Sequence, residues 1–123
     1  MRDVEKQLIL VDSSLAMPSG KMGAQVAHAS LSAFLKGCAG ATMHNSNRSW
    51  LANGQTKIVL DGVNKETIIA VDQQLSDAGI TRKAVIIDSG FTVFKEPTLT
   101  CLGVGPYKPD ELLGILKKFK LLP

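Results

Sequence analysis

Short β-prone runs alternate with helical spacings along this chain of 123 residues, and each run closes on polar turn residues. Residues 7–11 are apolar and lead into Asp12-Ser13-Ser14 and Pro18-Ser19-Gly20, which predicts a strand followed by a loop. Residues 56–60 read as a second strand, ending at Asp61-Gly62. Residues 84–87 are continuously apolar and stop at Asp88-Ser89-Gly90, the pattern of a strand buried on both faces. Residues 98–104 predict another strand, with the glycines of Gly103-Val104-Gly105-Pro106 making a tight turn after it.

Helices are expected between these runs. From Lys21 to about Lys36, Ala24, Ala27, Leu31, Phe34 and Leu35 recur at helical spacing. Asn64 can cap a helix reaching about Ala78 that buries Ile68, Val71 and Leu75. Pro109-Asp110-Glu111 suits the first turn of a last helix, with Lys117, Lys118 and Lys120 near its end and Leu112, Leu113, Leu116 and Phe119 available for packing. Residues 37–54 read as a long connection with a helical turn inside it. The order predicts an α/β fold: a three-layer single domain over residues 1–123, in which a four-stranded mixed β-sheet is flanked by helices.

Composition narrows the function classes without choosing among them. Fourteen Lys and Arg against eleven Asp and Glu leave +3, an excess that permits an anionic partner without demanding one. Cys38 and Cys101 lack C-x-x-C spacing, so neither a zinc ribbon nor a dithiol redox motif is encoded. No apolar run approaches the roughly 20 residues a bilayer requires, and the acidic residues near the N-terminus precede no signal-like segment. The expectation is a cytoplasmic protein with no membrane partner.

In sheets of this kind ligands gather beyond the carboxyl ends of strands, here residues 12–21, 88–92 and the turn at 103–106. At about 100° per residue, Lys21, Gln25, His28 and Ser32 form a narrow polar stripe on the first helix, with Ala24, Ala27, Leu31 and Phe34 facing away. A lysine in a helical first turn lies against the positive end of the dipole unless a carboxylate or bound anion offsets it. His28 is a natural general base if it faces a cleft, and a core histidine if it does not.

Other chemistries are excluded by spacing. Pro18-Ser19-Gly20-Lys21 fails the phosphate-loop pattern, with Leu15 where the first glycine belongs and Met22 after the lysine. Gly103-x-Gly105 is followed by Pro106 and is no dinucleotide fingerprint. His28 and His44 stand without a Cys/His cluster, so no metal site and no cofactor are expected. G-x-S-x-G is missing, which weakens a triad built from Ser30 or Ser89, His28 and Asp88.

Four segments together carry a resemblance. They are residues 20–29 (GKMGAQVAHA), Trp50 with residues 54–60, residues 88–92 (DSGFT) and residues 102–106 (LGVGP). In order and spacing the chain resembles the type 2 peptidyl-tRNA hydrolase family from about Ile9 to Leu121. That resemblance implies a cytoplasmic hydrolase that cleaves the ester between a peptide and the terminal ribose of tRNA, often as a homodimer. It implies that Lys21, His28, Asp88 and Thr92 serve catalysis, and that Gly20, Gln25, Gly90 and Thr98 bind substrate, a role also expected of Phe91 through its ring. In the expected mechanism His28 or Asp88 activates a water, Lys21 stabilises the oxyanion or a terminal phosphate, and Gln25 and Thr92 orient the substrate.

The chain departs from the family's pattern at several positions. Phe91 stands where an arginine usually follows the loop glycine, Asp12 and Ser14 occupy the loop where the family tends to carry Arg and Asp, and the P-G-T-x-T segment reads Pro97-Thr98-Leu99-Thr100 after Glu96. Phenylalanine cannot form the bidentate hydrogen bonds of a guanidinium, although its ring can stack a terminal adenine. These departures keep an alternative in view: a non-catalytic or altered-specificity module that binds a small anionic or nucleotide ligand. Lys36, Arg48, Lys57, Lys95 and Lys108 are the candidate phosphate contacts.

Overall fold

The computed structural model describes residues 4–90 and 93–123. Its elements, in order, are β1 (Lys6–Val11), α1 (Ser19–Leu35), β2 (Cys38–Ala39), β3 (Thr42–Met43), α2 (Asn45–Ala52), β4 (Lys57–Asp61), α3 (Lys65–Asp77), β5 (Lys83–Asp88) and β6 (Thr98–Tyr107). Short 3-10 turns lie at Ser13–Leu15 and Pro109–Leu112. The main sheet has the order β4-β1-β6-β5, with β1 and β4 parallel and β6 antiparallel to both its neighbours. It is the four-stranded mixed sheet expected from the sequence, and β2 with β3 adds a small hairpin.

The core is split by the sheet. On one face Leu10, Leu60, Leu102 and Val104 meet Ile68, Val71 and Leu75 of α3, together with Leu112 and Leu116. On the other, Ile9, Val11, Ile86 and Cys101 meet Ala29 of α1 and Met17. Successive residues of a strand point to opposite faces, which is why Ile9 and Leu10 belong to different layers. Burial pushes the Cys101 thiol up to about 11, with its side-chain contact to Thr100 opposing that rise. Asn64 caps α3 through its side chain, which accepts from the amide of Thr67 at 2.9 Å.

α1 sits close to the sheet because β6 carries Gly103. A Cβ at that position would stand 2.4 Å from the carbonyl oxygen of Ala29, a backbone atom that cannot swing aside. Gly103 and Gly105 thus lie within β6, and the tight turn expected at 103–106 does not exist. That removes this segment from the loops where a ligand could gather.

Four other expectations are corrected. β5 is an edge strand rather than one buried on both faces: it pairs only with β6 among the described residues, and Ile87 is 53% exposed. The last segment is not a helix. After Pro109–Leu112 the chain takes a left-handed step at Leu113 (φ 56) and continues as successive i to i+3 turns, which seat Leu112 and Leu116 on the core and leave Leu113 exposed. The connection over residues 37–54 holds the hairpin and the whole of α2. Asn47 of α2 donates to the carbonyl of Phe34 at 2.7 Å, closing the end of α1.

The fourth correction concerns α1. Gln25, Ala29, Ser30 and Ala33 are its buried residues, whereas Ala24, Ala27, Leu31 and Leu35 face outward. The polar stripe at Lys21 and Gln25 therefore turns towards the sheet. Small Ala29 and Ala33 permit the close approach that Gly103 requires, and polar Gln25 is accommodated because partners await it on β5 and β6.

Candidate active site

Lys21 and Asp88 lie 67 positions apart in sequence, and the fold brings them into contact. The Lys21 Nζ stands 2.7 Å from Asp88 Oδ1, with both side chains about nine-tenths buried at 12% and 10% exposed. α1 starts at Ser19, so Lys21 occupies its first turn, where Asp88 offsets the unfavourable position of a cation at a helix N-terminus. Asp88 is the last residue of β5 and lies on the α1 side of the sheet, in step with Ala84 and Ile86.

A second layer of contacts fixes the carboxylate. Gln25 Nε2 donates to Asp88 Oδ1 at 3.2 Å, and the amide of Gly90 donates to Oδ2 at 3.0 Å. Gly90 has φ 89, and a Cβ there would lie 2.7 Å from the carbonyl carbon of Glu96, so the loop closes tightly only around glycine. The hydrogen bond from Lys21, helped by its charge and by the donors on Gly90 and Gln25, holds Asp88 below the usual carboxylate pKa of 3.8 against opposing burial. Asp88 is therefore ionised at neutral pH.

Thr100 sets the orientation of Gln25. Its hydroxyl donates to Gln25 Oε1 at 2.6 Å, so the amide nitrogen is the end that faces Asp88. The register between β5 and β6 shifts at this point: Ile86 pairs with Cys101 and Ile87 with Leu99, leaving Thr100 as the extra residue of a bulge. A bulge breaks the alternation of faces, which turns Thr100 towards α1 beside Cys101. Phe94 completes this surroundings, with its ring centroid 5.7 Å from Lys21 Nζ.

Lys21, Gln25, Asp88 and Gly90 thus meet as one cluster, and Gly20 lies beside it in the exposed first turn of α1. His28 stands apart, exposed on α1 about 10 Å further along the axis at 1.5 Å per residue. Thr98 donates its hydroxyl to the carbonyl of Glu96 at 2.8 Å, within its own turn. Phe91 and Thr92 lie outside the described residues. Asp12 is buried at the end of β1, where its carboxylate accepts from the Ser14 amide at 3.0 Å and its hydroxyl at 2.5 Å.

Phe94 was not singled out from the sequence, and Thr100 was named only as the end of the segment compared with P-G-T-x-T, with no role in the site. No local pattern marks Phe94, and only the strand register reveals why Thr100 reaches the site. The candidate phosphate contacts Lys36, Arg48, Lys57, Lys95 and Lys108 are all exposed, and Lys57 lies over the ring of Trp50, 5.0 Å from its centroid. Among the described residues, the apolar grooves are lined by other side chains and include neither Lys21 nor Asp88.

Chemically, the cluster offers an ionised carboxylate beside a cation, with an oriented amide between two strands. It can place a water against Asp88 and a developing negative charge against Lys21. Comparison with known proteins matches residues 5–122 to the family model described as peptidyl-tRNA hydrolase PTH2. A peptidyl-tRNA hydrolase of Methanopyrus kandleri is 38% identical over 118 residues, covering 95% of this chain and 97% of that protein. One of Thermoplasma acidophilum is 34% identical over 122 residues, covering 97% and 99%, and one of Haloquadratum walsbyi is 38% identical over 107 residues, covering 87% and 90%. A match over nearly the whole chain, on a fold that gathers the lysine, glutamine and aspartate expected from the motif, places this chain in the peptidyl-tRNA hydrolase PTH2 family.

Proposed function

We propose that the chain hydrolyses the ester joining a peptide to the terminal ribose of tRNA, with Lys21 and Asp88 as the working pair. Family membership supports the reaction, and the 2.7 Å contact between a first-turn lysine and a strand-end carboxylate supports the site. Among the described residues, Lys21 and Gln25 donate to Oδ1 of Asp88 and only Gly90 to Oδ2, so Oδ2 is the oxygen placed to receive a proton from water.

Water attacks the ester carbonyl carbon, and its proton passes to Asp88 Oδ2. The carbonyl oxygen gains the negative charge and draws the Lys21 ammonium. As Lys21 turns towards that oxyanion, Asp88 loses the contact that depresses its pKa and becomes a stronger base when the proton must be taken. The tetrahedral species collapses, the bond from carbon to ribose oxygen breaks, and that oxygen leaves with the proton from Asp88. Gln25 orients the carboxylate, Thr92 remains a substrate contact on the strength of the resemblance, and Phe91, which replaces the family's usual arginine, offers a ring for stacking a terminal adenine. His28, exposed beyond the pair, suits a contact with the tRNA end better than the role of base.

The reading treats residues 1–123 as one hydrolase domain working in the cytoplasm, where its substrate arises. It includes self-association, because Ala24, Ala27, Leu31 and Leu35 of α1 leave an apolar stripe exposed; sedimentation at working concentration tests that part, and a monomer overturns it. No observation favours a non-catalytic module over the hydrolase. The decisive experiment is release of N-acetyl-amino acid from acylated tRNA. Lys21→Ala should cost about 100- to 1000-fold in kcat, as loss of an oxyanion donor does. His28→Ala should cost less than the roughly 100-fold that removal of a general base brings. A folded wild-type protein that releases nothing, while an active hydrolase does in the same assay, would overturn the reading.

A further inference from the structure

The two edges of the main sheet are treated differently. At the β4 edge the chain covers itself: the amide of Asp61 donates to Lys120 at 2.8 Å, the amide of Leu122 donates to Val59 at 3.0 Å, and Leu60 bridges to Leu121. At the β5 edge, no backbone bond from outside β6 reaches residues 84–88 among the described residues. An open edge presents a row of N–H and C=O groups and invites pairing with another chain, so proteins usually guard it with proline, free charge or a short strand. β5 has six residues, no proline, and the apolar core sequence Ala84-Val85-Ile86-Ile87. Its lysine, Lys83, is committed to Asp72 of α3 at 2.5 Å and does not guard the edge.

This unguarded edge ends at the catalytic carboxylate. Asp88 is the final residue of β5, so a chain lying along the strand has one end at the Lys21–Asp88 pair. Resting on the hydrolase reading above, we propose that the β5 edge binds the peptide portion of peptidyl-tRNA as an added strand, through main-chain hydrogen bonds. The esterified end of the peptide is its carboxyl end and must lie at Asp88, so the peptide runs parallel to β5. Six strand residues at about 3.3 Å each span roughly 20 Å, enough for four or five peptide residues. Main-chain pairing also answers a chemical demand of the reaction: the peptides differ in sequence, whereas every one of them carries the same backbone groups.

The test uses the intact protein and acylated tRNAs that share one C-terminal amino acid. An N-acetyl-tetrapeptidyl-tRNA should exceed the N-acetyl-aminoacyl-tRNA in kcat/KM by about tenfold, the scale of a few net hydrogen bonds. Parallel pairing uses alternate N–H groups of the added strand. N-methylation at one alternate set of peptide nitrogens should therefore abolish the gain, and methylation at the other set should leave it. Equal kcat/KM for short and long substrates, as when a second copy of the chain occupies the edge, would overturn the proposal. So would a gain that survives methylation at both sets. If even the N-acetyl-aminoacyl-tRNA is not hydrolysed, the hydrolase reading itself falls and this inference with it.

Discussion

Asp88 sets how the site responds to acid. Its pKa lies below 3.8 in the folded chain because Lys21 donates to it, with Gly90 and Gln25 adding to the effect. A carboxylate whose pKa is lowered by folding stabilises the folded state fully above its unfolded pKa, and that contribution disappears as pH falls through the folded pKa. Activity that needs ionised Asp88 should accordingly stay level through neutral pH, with its acid limb below 3.8. Carbon NMR of the Asp88 carboxyl should find its midpoint there, and Lys21→Gln should move the midpoint upward; an unmoved midpoint would contradict the assigned cause. Helical spacing made Lys21 and Gln25 legible as one stripe and the end of a β-run made Asp88 legible as a loop residue, but only the family resemblance joined them into one site. The role of Thr100 was not legible, since its direction depends on one extra residue in a strand pair, and alternation alone cannot reveal a bulge.

At the scale of elements, the distance between α1 and β6 decides whether the site exists. Gln25 rides on α1 and Thr100 on β6, so any force that parts the two loosens the support beneath Asp88. Gly103→Ala would drive a methyl group against the Ala29 carbonyl and should cost about 1–3 kcal/mol by overpacking. A lowered Tm together with a lowered kcat is the expected result, and an unchanged Tm would show that α1 is free to shift. The four strands of the main sheet and α3 were readable because short apolar runs and the Asn64 cap are local signals, whereas the β2–β3 hairpin carries no such run. The direction of α1 was misread because its sheet-facing side is made of alanine, serine and glutamine, while Leu31 and Leu35 stay outside. The last helix failed for a related reason: burying Leu112 and Leu116 matters more than continuing helical bonds past Leu113.

Across the whole molecule, three layers followed from the order of strands and helices, yet that order did not say which strands would be central. β1 and β6 are enclosed and β5 is exposed at the edge, an arrangement fixed by pairing between distant segments. The central position of β6 also gives the chain a built-in reporter of its own opening. Cys101 has no exposed surface, its thiol is pushed up to about 11, and it lies between β1 and β5, whereas Cys38 sits half-buried in the small hairpin. Alkylation proceeds through the thiolate and requires access. In native buffer one thiol per chain should therefore react promptly, at Cys38, and the second only at the rate at which the central sheet comes apart. Mass spectrometry of a labelling time course would then record how often the catalytic scaffold opens, with no residue introduced as a reporter.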